Sequence, residues 1–185
     1  MVKTRMWVQT EGGFLILLAL MLLILPFQWI LAAIVAGLFH ECCHYWAIRI
    51  MKGHVYGVRL GFGGAKMEVE PMEPPKELIA AVAGPFGSAL LVLLAKWMPR
   101  LAVCGLCHCL FNLLPLFPMD GGRVLRSAIR LFLPREKANR IFEIIQHFLA
   151  LGIGIGCVIA TFKWGLPIAI VGFWVIWRRI RKRTV

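Results

Sequence analysis

The chain has 185 residues, of which 60% are hydrophobic and only 16% charged, and its mean hydropathy is +0.79. An ordinary soluble domain is about 45–50% apolar and about 25% charged, so a soluble globular enzyme is excluded and the class is integral membrane protein. A net charge of +12, from 21 Lys+Arg against 9 Asp+Glu, suits either a nucleic-acid partner or a membrane orientation signal; the placement of the charges decides between them.

A spanning helix takes about 20 apolar residues, within roughly 17–25. Residues 14–39 are nearly uninterrupted, but Pro26-Phe27-Gln28-Trp29 reads as a tight turn with an interfacial aromatic. It divides a short span near 12–27 from a second near 29–48. No cleavable signal peptide is expected, because no small-residue cleavage site follows the first apolar stretch.

Next, Ala65-Lys66-Met67-Glu68-Val69-Glu70 alternates apolar and charged at period two, as a half-buried strand does. It follows Val55–Leu60 across the turn material Gly61-Phe62-Gly63-Gly64, which predicts a β-hairpin that Pro71, Pro74 and Pro75 bring to an end. Further spans are expected at 78–98 and 101–117. From 141 to 177 only Glu143, Gln146, His147 and Lys163 interrupt the apolar run. Lys163-Trp164 there separates two short spans or tips a re-entrant hairpin. Gln146 and His147 are expected at the cytoplasmic membrane edge.

The expectation is an all-α polytopic membrane protein of about six transmembrane helices, forming one domain over 1–185. A small membrane-associated β-hairpin lies between helices two and three. With the N-terminus inside, only Lys96, Arg100 and Lys163 face outward. The other 18 of the 21 basic residues lie inside, including Arg123, Arg126, Arg130, Arg135, Lys137, Arg140 and the tail Arg178, Arg179, Arg181, Lys182 and Arg183. That asymmetry places both termini in the cytoplasm of a multi-pass cell-membrane protein. It makes the lipid bilayer, not nucleic acid, the partner of the charge.

His40-Glu41-Cys42-Cys43-His44 fits H-E-x-x-H on a predicted helix. At 100° per residue the two imidazoles differ by 40° and project from one face, as two nitrogens of a tetrahedral zinc site do. Glu41 stands where it can take a proton from water. Three ionisable groups in one turn near bilayer depth point to function rather than packing. A catalytic zinc takes three protein ligands, and the third candidates are Asp120, Glu11, His108 and the cysteines. Asp120 is the chain's sole aspartate and is expected at the end of the fourth span, where two prolines and two glycines break the helix.

Together, His40-Glu41-x-x-His44 and Asn112-x-x-Pro115-x-x-Pro118-x-Asp120-Gly121 resemble the site-2 protease family of intramembrane zinc metalloproteases (peptidase family M50). The likeness is greatest to the sporulation branch containing stage IV sporulation protein FB of spore-forming bacteria. Gly61-Phe62-Gly63-Gly64, Met67-Glu68-Val69-Glu70 and Ala83-Gly84-Pro85 agree in order, and the resemblance covers about residues 30–130. It implies Zn2+ held by His40, His44 and Asp120, with Glu41 as general base. The implied substrate is a membrane-embedded or membrane-associated protein, with a sporulation sigma-factor precursor as its class and regulatory membrane proteins as further partners.

Asn112 belongs to the same motif and is expected to bond substrate backbone or to position Asp120. A kink at Gly84 and Pro85 exposes carbonyls beside the site, and the hairpin edge at Met67 and Val69 offers a substrate main-chain hydrogen bonds. Two departures stand out. Cys43 occupies the place where the family usually has Gly, about 60° from His40 around the helix. The sporulation branch's nucleotide-sensing CBS domain is not expected within this polypeptide.

Cys104, Cys107 and Cys109 read as packing thiols, as do the other cysteines, and His108 as a histidine satisfied by a neighbouring helix. A membrane metal carrier is the alternative reading, but such folds show internal repeats and none is evident. A catalytically silent scaffold is expected to lack Glu41, which is present.

Overall fold

The structure, a computed structural model, describes residues 7–61 and 64–164. Phe62 and Gly63 of the expected turn, the later part of the 141–177 stretch and the basic tail lie outside the described residues. Among the described residues three helices are long and apolar enough to cross a membrane: Phe27–Ile50, Pro74–Leu94 and Arg135–Lys163.

Strand β1 (Trp7–Thr10) leads into α1 (Gly12–Ile24), an apolar helix of 13 residues. Pro26 ends that helix, as the sequence indicates, and α2 runs Phe27–Ile50. Its buried positions Ala36, His40, His44 and Ile48 recur every fourth residue, so one narrow stripe faces the protein. Exposed Leu31, Val35, Leu38, Phe39 and Trp46 suit the remainder to lipid.

The hairpin forms as the alternation requires. β2 (Val55–Gly61) pairs antiparallel with β3 (Gly64–Val69), with Gly61 opposite Gly64 and Val58 opposite Met67. Unanticipated is β1, which pairs parallel with β2 from Trp7–Gly57 to Thr10–Leu60. The order β1-β2-β3 leaves β3 at the sheet edge among the described residues. Ile48, Val55 and Ala80 form a buried cluster, with Met67, Val69, Tyr45 and Met72 packed on it. This cluster seats the hairpin on the ends of α2 and α3.

Helix α3 (Pro74–Leu90) continues as a 3-10 turn, Leu91–Leu94, and is followed by α4 (Pro99–Asn112). The expected span at 101–117 is shorter in the structure, because α4 is 14 residues long and stops at Asn112. At 1.5 Å per residue it reaches about 21 Å, short of a hydrocarbon core about 30 Å thick. The loop 113–119 contains a cis Phe117-Pro118 bond. Asp120 is therefore not the end of the fourth span. It opens α5 (Asp120–Phe132), which presents Arg123, Arg126 and Arg130 at helical spacing.

Helix α5 is tied to α3 through Glu77, whose carboxylate accepts from Arg126 at 2.5 Å and lies 3.6 Å from Arg130. Finally, α6 is one continuous helix, Arg135–Trp164. Gln146 of α6 is fully buried within the protein, and His147 beside it is half-buried. The six cysteines are free, as expected, but only Cys109 is buried; Cys42 and Cys107 are exposed on their helices.

Candidate metal centre

Three side chains from two distant elements of the chain meet at one point. α2 supplies His40 and His44, and the N-terminus of α5 supplies Asp120; all three are buried. His40 Nε2 lies 3.0 Å from Asp120 Oδ2, His44 Nε2 lies 2.9 Å from the same oxygen, and the two Nε2 atoms are 3.1 Å apart.

Each ring has a partner on its far side. His44 Nδ1 donates to the Ala80 carbonyl at 2.7 Å. A carbonyl only accepts, so Nδ1 carries the proton and neutral His44 turns a lone pair toward Asp120. His40 Nδ1 lies 2.9 Å from Ser88 Oγ, a fully buried hydroxyl. That hydroxyl can accept from Nδ1, and in this tautomer His40 also turns a lone pair toward Asp120. Two nitrogen lone pairs and a carboxylate oxygen then converge, a donor set suited to a cation.

A divalent metal fits this triangle. Bonds of about 2.0–2.1 Å in a tetrahedral zinc site place ligand atoms about 3.3 Å apart, within a few tenths of an ångström of the separations here. The outward hydrogen bonds from both imidazoles to Ala80 and Ser88 are the kind that orient histidine ligands. Two imidazoles and one carboxylate also leave a fourth position open. The other carboxylate oxygen, Asp120 Oδ1, is 3.4 Å from Arg123 Nη1, which restrains the side chain from outside.

Glycines make the close approaches possible. A Cβ on Gly84 of α3 would overlap the His44 ring, lying 2.5 Å from Cδ2 and 2.6 Å from Cε1. Gly121 and Gly122 lie so close to the backbone of Leu113, Leu114, Leu116 and Phe117 that neither admits a side chain. Gly87 likewise leaves space for Cys43 Sγ. The Cys43 thiol is therefore seated against α3 and is not part of the group formed by His40, His44 and Asp120.

A cavity of about 1720 Å³ opens onto His40, Glu41, His44 and Asp120. It runs past Met67 and Val69 of β3 to Arg123, Arg126 and Arg130 of α5. The lining mixes apolar side chains with these charged ones, and the cavity opens onto His40, His44 and Asp120 together. Met67 and Val69 are half-buried and serve the hairpin's packing as well as the cavity wall.

Asn112 lines the cavity too, but its amide donates to the His108 carbonyl at 3.0 Å. Arg123, not Asn112, contacts Asp120 among the described residues. Gly84 and Pro85 are buried and lie outside the cavity's lining. The α3 carbonyl turned to the site is that of Ala80, one turn before Gly84, and His44 occupies it.

Glu11 lies 3.9 Å from Arg59 and is not part of the cluster. His108 stacks beside His40 with ring centroids 5.6 Å apart. Ser88, the Ala80 carbonyl and Arg123 went unmarked in the sequence. For Ser88 and Arg123 the available signal was a polar group on a face shared with the small residues of α3 or with Asp120.

No protein-family model matches the chain, and no curated protein does. Among solved structures, the fold is similar to the site-2 protease from Methanocaldococcus jannaschii, with a TM-score of 0.71 and 19% sequence identity. The match covers 98% of this chain and 93% of that one. The chain thus has the fold of a site-2 protease.

Proposed function

We propose that the protein is an intramembrane zinc metalloprotease of the site-2 type, with both termini cytoplasmic. The observation that carries this reading is the buried convergence of His40, His44 and Asp120 with Glu41 on the wall of the same cavity. Among the described residues three helices are long enough to cross a membrane, and one of them, α2, carries His40 and His44.

His40, His44 and Asp120 would hold zinc, which supplies Lewis acidity when bound: it polarises a carbonyl and brings the acidity of water to about pH 7. Glu41 takes a proton from the attacking water as the new C–O bond forms at the scissile carbonyl. It then delivers that proton to the amide nitrogen as the C–N bond breaks. The products are a carboxylic acid and an amine, which at neutral pH become carboxylate and ammonium as the acid's proton passes to the amine, and Glu41 returns to its starting state.

Peptide groups in a spanning helix are protected because each is bonded within the segment. A substrate must therefore unwind first. The β3 edge is suited to receive the unwound segment as an added strand, with Met67 and Val69 beneath it and Asn112 nearer the site. Gly84 acts indirectly, by giving His44 its place. The substrate is a membrane-embedded or membrane-associated protein; a sporulation sigma-factor precursor under the control of regulatory membrane proteins is the class to try first.

The test is co-expression with such a precursor, comparing wild type with Glu41→Gln. Cleavage by wild type and a loss of roughly 10²–10⁴-fold in the variant, with zinc retained, supports the enzyme. Cleavage at the wild-type rate by Glu41→Gln refutes it, and zinc retention with no cleavage of any membrane protein favours a metal carrier.

A further inference from the structure

Gln146 sits in the apolar run of α6 and is fully buried. An amide placed there needs partners, and it has two. Its Nε2 donates to the Pro115 carbonyl at 2.6 Å, and its Oε1 accepts from the Phe117 backbone N–H at 2.7 Å. One side chain thus spans alternate residues of the loop 113–119 as a neighbouring strand would, and fixes the loop's backbone in both directions.

The opposite side of that loop is fixed as well. Gly121 and Gly122 at the start of α5 press against the backbone of Leu113, Leu114, Leu116 and Phe117. The loop is therefore held between the glycines of α5 and the amide of α6. Asp120 follows it directly, and Asp120 Oδ2 must stay within 2.9–3.0 Å of both imidazoles. Phe117, Pro118, Met119 and Asp120 line the cavity, whereas Gln146 and Pro115 do not. The amide acts from behind the loop and does not meet a substrate.

We infer that Gln146 is a positioning residue for the metal centre, setting the placement of Asp120 through the backbone of residues 115–117. This rests on the reading of His40, His44 and Asp120 as zinc ligands. Loss of the amide removes its bonds to the Pro115 carbonyl and the Phe117 N–H, the loop relaxes, and Asp120 departs from the geometry the imidazoles require. Partners of metal ligands typically change metal affinity about 10–100-fold when removed.

The experiment measures zinc dissociation constants by chelator competition on the full chain in detergent, alongside the visible spectrum of the Co2+-substituted protein. Variants are Gln146→Met, which keeps the volume and loses both bonds, and Gln146→Glu, which keeps the acceptor for Phe117. His147→Ala, at a half-buried neighbouring position whose ring bonds only the Glu143 carbonyl of its own helix among the described residues, is the control.

The expected result is zinc affinity weakened about 10–100-fold in Gln146→Met, with altered Co2+ bands. Gln146→Glu is expected to be intermediate and His147→Ala unchanged. A helix-packing role alone lowers thermal stability but leaves zinc affinity and the Co2+ bands as in wild type, and that outcome overturns the inference. If Gln146→Met does not fold, wild-type affinity and spectrum in Gln146→Glu overturn it equally. A wild-type chain that binds no zinc overturns the ligand reading itself, which separates the two failures.

Discussion

Replacing Gly84 with Ala adds one methyl group, and the structure assigns that methyl to space held by the His44 imidazole. Two effects oppose each other. Ala is favoured over Gly within a helix by about 1 kcal/mol, which on its own raises stability. Against this, forced overpacking in a well-filled interior costs about 1–3 kcal/mol, and the ring is not free to retreat. Moving it breaks the 2.7 Å bond from Nδ1 to the Ala80 carbonyl, for roughly 0.5–1.5 kcal/mol more. The steric terms win, so the protein without metal is expected to lose about 1–3 kcal/mol net.

The larger effect falls on zinc, because His44 Nε2 no longer meets Asp120 Oδ2. A loss of at least about 10–100-fold in zinc affinity is expected, by analogy with removal of an orienting partner. Chelator competition for the affinity and thermal unfolding in excess chelator for the stability read the two terms separately. Gly152→Ala is the control, since a Cβ there meets nothing within 4 Å, and it is expected to leave zinc affinity unchanged. Wild-type zinc affinity in Gly84→Ala with a raised melting temperature refutes the reasoning, because propensity alone gives that outcome.

Three further outcomes follow from the geometry. Glu77→Gln weakens the pairing of α3 with Arg126 and Arg130 of α5. A destabilisation of roughly 1–3 kcal/mol is expected in thermal or denaturant unfolding, below the 3–5 kcal/mol of a fully buried pair because the arginines are partly exposed. Cys43→Gly vacates the space beside Gly87 and puts a glycine inside α2, so stability falls by about 1 kcal/mol or more. Zinc affinity stays at the wild-type value, and a change in it contradicts the placement of the thiol away from the ligands. Prolines introduced singly across 65–70 should abolish cleavage where the lost N–H faces away from β2, while the fold persists; cleavage unaffected at every position contradicts strand addition at the β3 edge.

Local patterns in the sequence translated directly into structure. The four-residue spacing of His40 and His44 sets both rings on one helix face, and the alternation over 65–70 yields β3. Pro26 divides α1 from α2. What stayed hidden depends on contacts between remote segments. β1 has only four residues and pairs with β2 across two intervening helices. The breaker residues near Asp120 were legible, but that Asp120 starts a helix depends on its loop being packed on Gly121 and Gly122.

The orienting partners of the histidines were equally out of reach. Ala80 contributes a backbone carbonyl, which carries no sequence signature. Ser88 and Gln146 are polar residues in apolar helices, visible as anomalies but not assignable to a partner until the fold brings them there. The seat of Cys43 on Gly87 is a pairing of two helices that neither sequence segment reveals alone.

Zinc content of the purified full chain tests the metal centre most directly, measured by elemental mass spectrometry after removal of loosely bound metal. Wild type and Glu41→Gln are expected to retain one zinc per chain, whereas His40→Ala, His44→Ala and Asp120→Ala lose it. A wild-type chain without tightly bound metal, or an Asp120→Ala variant that holds zinc as firmly as wild type, contradicts the assignment.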